Sequence, residues 1–375
     1  MKKALRAVGS YFRITDRWLL FFWVTASGLS MLFLAGIYNS NMVSSSTLVT
    51  QGAGILLGLT AAIVISKLDY HLLLKLWKLY LPLCLFLILL TALVGTVRGD
   101  NQAWLMIPIG GGREVSLQPS ELLKISFITT FSMHLAKVKD QLNKPLNLLL
   151  LCAHGGIHIL LIHLQGDDGS ALIFVFIFVI MLFVAGIGYR YILGAVVALA
   201  VIAPVFWFKI MKPDQKMRVL SVLYPEQASA DYLYQQLRGR MSLGSGGVQG
   251  TGIFAGKHLP VPEIYNDFIF SFIGESAGFI GCLGVIALLT AICLKILYNS
   301  SIASDDTGRF ICVGVAAMIL GQMIINLGMC LSLLPVIGVT LPLFSAGGTS
   351  VVTLYLGLGL VLSVYCGRRT GLFSE

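Results

Sequence analysis

Long apolar runs separated by short polar segments make up most of the chain. Ten of these runs are about as long as a helix must be, roughly 20 residues, to cross the hydrocarbon core of a bilayer. They cover residues 18–37, 47–66, 76–95, 119–137, 146–164, 169–188, 190–210, 268–297, 309–333 and 349–366. The pattern predicts an all-α polytopic membrane protein of about ten transmembrane helices, forming a single membrane domain over residues 1–375.

The composition supports this class. Of the 375 residues, 57% are hydrophobic and 11% are charged, and the mean hydropathy is +0.87. An ordinary soluble domain carries about 25% charged residues, so the composition excludes that class. All seven cysteines fall inside apolar runs and none are paired as CxxC. The sequence therefore predicts neither a disulfide framework nor a cysteine metal site.

The distribution of basic residues predicts the orientation. Five Lys or Arg residues precede or begin the first run, whereas the segments 38–46, 165–168 and 334–348 contain none. Cytoplasmic loops retain basic residues, so we expect both termini in the cytoplasm and the long segment 211–267 outside, in a bacterial cytoplasmic membrane. The net charge of +9 then reflects topology rather than a nucleic-acid partner. No Ala-x-Ala site follows the first run, and no cleavable signal is expected.

Acidic residues mark the end of the long outer segment. Asp267 directly precedes the eighth run, and Glu275 lies two turns further on. A carboxyl group at such a boundary is partly dehydrated, which can raise its pKa toward that of a useful general base. Asp before an apolar run is also a favoured helix N-cap. Position alone leaves both roles open for Asp267.

The start of the fourth run carries a second charged pair. Glu121 and Lys124 follow Pro119 and are spaced i, i+3, so they share one helix face. The spacing fits an intrahelical ion pair that stabilises the outer end of the helix. It fits equally a pair of groups that face a substrate.

Histidines and paired carboxylates surround the fifth run. His154 and His158 are spaced i, i+4 without a neighbouring carboxylate, which favours interhelical hydrogen bonds over a metal site. Asp167 and Asp168 occupy the short turn that follows. Paired carboxylates on such a turn suit cation binding or acid–base chemistry, and they also suit a solvated turn.

Three further segments are neither free loops nor plain apolar runs. The glycine-rich stretch 243–252 lies among basic side chains and could offer backbone N–H groups to a pyrophosphate, or could simply be flexible. Residues 95–118 alternate apolar and polar positions, which predicts a segment at the membrane interface. Residues 334–348 are too apolar for a free loop and too interrupted for a helix. We expect them to re-enter beneath the 211–267 segment, covered by protein.

Taken together and in order, these motifs resemble the SEDS family (shape, elongation, division and sporulation), which includes RodA, FtsW and SpoVE. The resemblance covers nearly the whole chain. It rests on Gln118-Pro119-Ser120-Glu121 with Lys124, Asp167 with Gly169, Leu243-Gly244-Ser245-Gly246-Gly247, Asp267-Phe268-Ile269-Phe270 with Glu275, and Asn326-Leu327-Gly328-Met329 followed by Leu334-Pro335-Val336 and Ser345-x-Gly347-Gly348.

The resemblance implies a peptidoglycan glycosyltransferase that polymerises lipid II at the outer face of the membrane. It implies that Asp267 is the catalytic carboxylate. Substrate-binding roles are implied for five further residues, which are Glu121, Lys124, Asp167, Arg218 and Glu275. No cofactor is required by the motifs, and a divalent cation at the carboxylates is left open. The implied partner is a class B penicillin-binding protein, which would supply the transpeptidase.

The chain departs from the usual family pattern at several positions, and this indicates a divergent member. The substituted positions are Ala103, Gly166, Arg238, Ser276 and Ser332. Two other functions fit a polytopic protein of this kind, a lipid II flippase and a non-catalytic scaffold for a transpeptidase. A flippase needs charges along a mid-membrane cavity, whereas here the charges lie at the outer ends of runs and in the outer segment, which favours surface chemistry.

Overall fold

The computed structural model describes residues 11, 13–98, 101–110 and 113–370. Within these ranges the helices are α1 (Arg17–Asn39), α2 (Ser45–Ser66), α3 (Tyr70–Lys75), α4 (Trp77–Val94), α5 (Pro119–Val138), α6 (Pro145–Leu164), α7 (Asp168–Ala185), α8 (Tyr189–Val205), α9 (Pro213–Leu223), α10 (Ala230–Ser245), α11 (Ile269–Ser301), α12 (Asp306–Cys330) and α13 (Gly348–Thr370). A π-helical turn, Phe206–Ile210, extends α8, and two short 3-10 turns cover Lys139–Gln141 and Pro225–Gln227.

A helix occupies each of the ten predicted apolar runs. Among the described residues, nine helices are long and apolar enough to cross a membrane, which confirms a polytopic membrane protein. The helix at the fourth run, α5, is 20 residues long but carries Glu121, Lys124 and Lys137. Thirteen of its residues are buried, so it lies inside the bundle. Helices α12 and α13 are also largely buried, whereas α8 has no buried residue and lies at the periphery.

The segment after α4 is a small sheet, which the all-α prediction did not include. Strands β1 (Thr96–Arg98), β2 (Asn101–Gly110) and β3 (Arg113–Leu117) form an antiparallel sheet in the order β1-β2-β3. Leu105 pairs with Leu117 and Ile107 pairs with Val115. The apolar alternation along β2 has a period of two residues, which is the period of a strand.

The predicted outer loop 211–267 is not a continuous loop, because it contains α9 and α10. The glycine-rich stretch begins inside α10, and its second half packs against a break in α11 at Gly278, whose φ is +66°. Thr251 N donates to Glu275 O and Gly252 N to Ser276 O, both at 2.9 Å. The broken helix thus finds backbone partners in this stretch. At these residues the backbone N–H groups serve the fold and do not form the predicted anion site.

We expect Gly250→Ala to destabilise the protein strongly. Gly250 has φ +84°, and a Cβ atom there would lie 2.3 Å from Ser276 O. The strained backbone and the overlap together should cost about 2 kcal/mol or more, measured as a lower unfolding temperature in detergent. Gly284→Ala in α11 is the matched control because a Cβ there meets nothing within 4 Å. Equal stability of the two variants would contradict this role of Gly250.

Candidate active site

Two non-helical segments meet at one buried side chain of α12. Asn326 Nδ2 donates to Asp267 O at 2.8 Å and to Val339 O at 2.7 Å. The first segment precedes α11 and contains Asp267, and the second covers residues 334–347. In the second segment, Ala346 N also donates to Tyr265 O at 2.8 Å. Asn326 thereby joins the residues before α11 to the residues before α13.

The 334–347 segment also lies against helices α9 and α10. Arg218 Nη1 on α9 donates to Val336 O at 3.4 Å, and Gln236 Nε2 on α10 donates to Leu334 O at 3.3 Å. These contacts agree with the predicted packing against the 211–267 segment. One turn before Asn326 on α12, the Gln322 side chain lines the cavity described next, and its Oε1 is buried without a partner among the described residues.

A cavity of about 590 Å³ opens between these segments, the sheet and the N-terminal ends of α2, α5 and α7. Its lining is mainly polar. Four of the six residues implied by the family resemblance line it, and they are Glu121, Lys124, Asp167 and Asp267. The structure therefore gathers residues that are up to 146 positions apart in the sequence into one site.

The Asp267 carboxyl group is buried in the wall of this cavity, with 9% of the residue exposed. Its Oδ1 atom has no hydrogen-bond partner among the described residues. The N-cap of α11 is Phe268, and it makes no side-chain cap bond, so the predicted capping role of Asp267 is wrong. Burial, followed by the nearby charges of Glu263 and Asp167, raises the pKa of Asp267 to about 7. Such a group can accept a proton near neutral pH.

Asp167 is held in place by three donors. Its Oδ1 accepts from Ser170 N at 3.0 Å and caps α7, while Oδ2 accepts from Gln118 Nε2 at 2.8 Å and from Ser120 Oγ at 3.1 Å. The preceding residue, Gly166, has φ +83°. Glycine adopts this φ without the steric cost that other residues meet. The turn before Asp167 therefore favours glycine at position 166.

Glu121 and Lys124 form the predicted ion pair, with Nζ 2.7 Å from Oε1, and both side chains are almost fully buried. The pair also lines the cavity. The two predicted alternatives are thus compatible in this structure, because the ion pair faces the site.

Arg218 faces a different cavity, of about 560 Å³ and mostly apolar. Asp168 lines this second cavity with it, and accepts from Gln215 Nε2 at 2.5 Å. His163 Nδ1 lies 2.6 Å from the other Asp168 carboxylate oxygen. Asp167 and Asp168 are therefore not a carboxylate pair in one site, because each faces its own cavity.

Glu275 lies outside the lining of both cavities. Its carboxylate accepts from Ser242 Oγ at 2.6 Å and from Leu259 N at 2.8 Å, and His258 Nδ1 lies 3.2 Å away. These contacts join α10, the 247–267 segment and α11. Through these contacts Glu275 holds the segment that carries Asp267 in place. It does so from outside the cavity.

The predicted interhelical hydrogen bonding holds for His154 but not for His158, whose Nδ1 donates to His154 O in the same helix and whose Nε2 has no partner among the described residues. His154 Nδ1 lies 3.2 Å from His134 Nδ1, and His154 Nε2 lies 3.3 Å from Thr130 Oγ1, so the contacts join α5 and α6. Over the described ranges there is no group of three or more His, Cys, Asp or Glu side chains arranged to hold a metal.

Sequence reasoning missed two residues of the site. Glu263 lines the cavity and contributes to the raised pKa of Asp267. Gln51 lies in the second apolar run, donates through Nε2 to Ser345 O at 3.2 Å and accepts from Gly347 N at 3.1 Å. A polar amide inside an apolar run was a usable signal for Gln51, since such a residue needs a partner in the membrane.

The chain is similar to known proteins over almost its whole length. Residues 15–370 match the cell cycle protein family of FtsW, RodA and SpoVE. A probable peptidoglycan glycosyltransferase, FtsW of Geobacter metallireducens, is 32% identical, with 84% of this chain and 83% of that protein covered. The peptidoglycan glycosyltransferase MrdB of Escherichia coli K12 is 30% identical, with 78% and 79% covered.

Solved structures show the same fold. A chain of a peptidoglycan synthase complex, described for its coordination of polymerization and crosslinking, superposes with a TM-score of 0.80 at 27% identity, covering 95% of this chain and 99% of that one. The rod shape determining protein RodA of Thermus thermophilus superposes with a TM-score of 0.70 at 25% identity, covering 95% and 98%. With its family match, these relatives and this fold, the chain belongs to the FtsW/RodA/SpoVE family of cell cycle proteins.

Proposed function

We propose that this protein is a peptidoglycan glycosyltransferase that polymerises lipid II at the outer face of the bacterial cytoplasmic membrane. Relatives at about 30% identity over most of the chain are named peptidoglycan glycosyltransferases. The observation that carries the proposal is the unpaired, buried Asp267 carboxyl group in a polar cavity of about 590 Å³. A non-catalytic scaffold has no need of a buried base of this kind.

In the proposed reaction, the 4-hydroxyl of an acceptor sugar attacks the anomeric carbon of a donor sugar. The new C–O bond forms as the bond to the lipid pyrophosphate breaks, and Asp267 takes the hydroxyl proton. No described group donates a hydrogen bond to its Oδ1, and the residue lines the cavity in which the hydroxyl would lie. A pKa of about 7 leaves a substantial fraction of Asp267 ionised at neutral pH and makes it a stronger base than an ordinary aspartate.

The charges of the cavity suggest how the leaving pyrophosphate is stabilised. Among the lining residues that the structure describes, there are four carboxylates, Glu121, Asp167, Glu263 and Asp267, and one cation, Lys124, which Glu121 already pairs. We propose that a divalent cation offsets this excess. Mg²⁺ is commonly bound by one or two carboxylates together with substrate phosphates, so a complete protein-only metal site is not needed. Arg218 is the proposed second contact, from the neighbouring cavity.

The proposed partner is a class B penicillin-binding protein that crosslinks the new strands. One structural relative is a chain of a peptidoglycan synthase complex. We also propose that both termini are cytoplasmic and that the segment containing α9 and α10 lies outside, since this orientation follows the distribution of Lys and Arg. It puts the cavity on the face where lipid-linked sugars are polymerised.

We expect Asp267→Asn to reduce polymerisation at least about a hundredfold, because a lost general base typically costs 10²–10⁴ in rate. The assay uses purified protein on lipid II in proteoliposomes, with and without the penicillin-binding protein, and measures glycan strands. Unchanged strand synthesis by the variant would remove Asp267 as the base and favour the scaffold function.

The same variant provides its own folding control. The folded state disfavours the charged form of Asp267. The free energy of unfolding therefore decreases as the pH rises from about 4 to about 7, because Asp267 ionises at lower pH in the unfolded chain than in the folded one. At pH 8 the neutral Asn should therefore raise the unfolding temperature by roughly 2 °C or more, and at pH 4 the difference should vanish. An inactive variant of lower stability at pH 8 would instead indicate misfolding.

The pH dependence should report Asp267 directly. We expect log kcat/KM to rise with a slope of about one up to pH 7 and then to level off, because the carboxylate form is the active one. Glu263→Gln removes a negative charge that raises this pKa, so the bend should move to lower pH. A bend that stays in place in Glu263→Gln would assign the titration to another group.

Metal removal tests the proposed cation. EDTA treatment followed by desalting should abolish polymerisation, and Mg²⁺ should restore it, because the cavity carries excess negative charge toward a pyrophosphate. Restoration by Ca²⁺ as effective as that by Mg²⁺ would indicate simple charge screening. Full activity after EDTA treatment would exclude the cation.

A further inference from the structure

Two residues that line the cavity of Asp267 carry a buried side-chain oxygen without a hydrogen-bond partner among the described residues. They are Asp267, through Oδ1, and Gln322, through Oε1. The proposed function uses Asp267 as the base and gives Gln322 no role. Only 2% of Gln322 is exposed, and an amide that is buried without a partner lowers the stability of the fold. Such a group is explained if a ligand supplies the missing partner.

Two other glutamines that line the cavity are engaged by the fold. Gln51 Oε1 accepts from Gly347 N at 3.1 Å, and Gln118 Nε2 donates to Asp167 Oδ2 at 2.8 Å. These amides hold neighbouring segments of the protein together. Gln322 Oε1 has no such bond to the described part of the chain. Of these three glutamines, Gln322 is therefore the candidate for binding a ligand.

Helix packing sets the level of Gln322 in the cavity. The preceding residue, Gly321, packs against α7, where a Cβ atom at Gly321 would lie 2.7 Å from a ring atom of Phe176. Phe176 comes three residues after Ile173, which is the lining residue furthest along α7. Gln322 and Ile173 are therefore within about one helical turn of each other along the bundle.

The cavity ends near this level. Lys124 is the lining residue furthest along α5, as Ile173 is along α7. About one turn further on, Phe127 of α5 and Ile177 of α7 are fully buried and do not line the cavity. Gln322 thus lies at the closed end of the cavity, beside the apolar interior of the bundle.

Helix α12 also connects Gln322 to the segment of Asp267. Asn326 follows four residues later on the same helix, about 6 Å along the axis at 1.5 Å per residue. The Asn326 amide donates to Asp267 O at 2.8 Å. A sugar unit that places its reacting group beside Asp267 is therefore close enough to place a second substituent beside Gln322.

The chemistry of the closed end favours a neutral group with an amide and an apolar part. Lys124 is paired with Glu121, with Nζ 2.7 Å from Oε1, so these two charges offset each other. Ile173 adds an apolar side chain, and Gln322 adds a neutral donor and acceptor. An acetamido group has the matching parts, which are an N–H donor, a carbonyl acceptor and a methyl group.

We propose that Gln322 binds an acetamido group of the substrate and so selects N-acetylated sugars. The inference rests on the proposed function, because each of the two sugars of lipid II carries an acetamido group. The acetamido N–H donates to Gln322 Oε1, the atom that lacks a donor. Rotation about the last side-chain torsion, which has a broad and roughly two-fold profile, turns this oxygen toward the ligand. The acetamido methyl group packs at the apolar side chain of Ile173.

The test compares lipid II with two analogues in which a neutral hydroxyl replaces one acetamido group. One analogue is altered on the sugar that carries the pyrophosphate, and the other on the outer sugar. Each is assayed with the wild type and with Gln322→Met, which keeps the length of the side chain and removes the amide. The matched control is Thr353→Val, because Thr353 Oγ1 is also buried without a partner among the described residues but does not line the cavity.

Two quantities are measured, the affinity of the full chain in nanodiscs for each lipid and kcat/KM for strand synthesis. In the wild type and in Thr353→Val, loss of the acetamido group that Gln322 binds should reduce both about tenfold or more, because a buried amide is left unpaired. In Gln322→Met, lipid II and this analogue should behave alike. The sugar whose analogue shows this change is the one that Gln322 holds.

Three results would overturn the proposal. A wild type that treats lipid II and both analogues alike would do so without any variant. A Gln322→Met protein that keeps the full preference for the acetamido group would do so as well. Both substitutions remove an unpaired polar group, so neither should lower the unfolding temperature. A lower unfolding temperature in Gln322→Met alone would show that the amide supports the fold instead of a ligand.

The two measurements separate this proposal from the proposed function. A wild type that binds lipid II with a Gln322-dependent preference for the acetamido group, but makes no strands, would overturn the glycosyltransferase function and leave the acetamido site standing. A wild type that makes strands without this preference, or with a preference that Gln322→Met leaves unchanged, would overturn the acetamido site alone.

Discussion

Asn326 is the side chain on which the arrangement of the site depends. In the apolar interior of a membrane protein, backbone groups outside helices must find partners within the protein. Asn326 is fully buried and supplies two such bonds, to Asp267 O and Val339 O, from one amide nitrogen. The two non-helical segments, before α11 and before α13, are therefore held at a fixed separation. The cavity is the space that this separation leaves open.

The packing that gives the buried backbone groups their hydrogen-bond partners leaves the Asp267 Oδ1 without one among the described residues. This oxygen is buried, and the carboxylates of Glu263 and Asp167 act on the group through space. Each of these effects disfavours the charged form, so the fold is less stable when Asp267 ionises. A residue that costs stability where a neutral amide would not is typical of a site kept for chemistry.

How far the sequence predicts the structure depends on the range of the interactions. The helices follow from apolar length, and the Glu121–Lys124 pair follows from its i, i+3 spacing, so both are local. The sequence leaves the role of the glycine-rich stretch open, because the partners of its backbone groups, such as Glu275 O for Thr251 N, lie more than 20 residues away. Only the family resemblance, and no local pattern, indicates Asp267 and Asp167 as site residues. Their different environments depend on the packing of distant segments around the cavity.

The separation of Arg218 from Asp267 has a simple structural cause. Ile337 lines the cavity that contains Arg218, and the next residue, Gly338, lines the cavity that contains Asp267. A single stretch of non-helical backbone therefore divides the two cavities. The start of α7 lies against this stretch, and a Cβ at Gly169 would be 2.3 Å from Ile337 O. Only glycine allows that approach. Gly169 therefore lets the N-terminal end of α7 pack directly against the backbone that separates the two cavities.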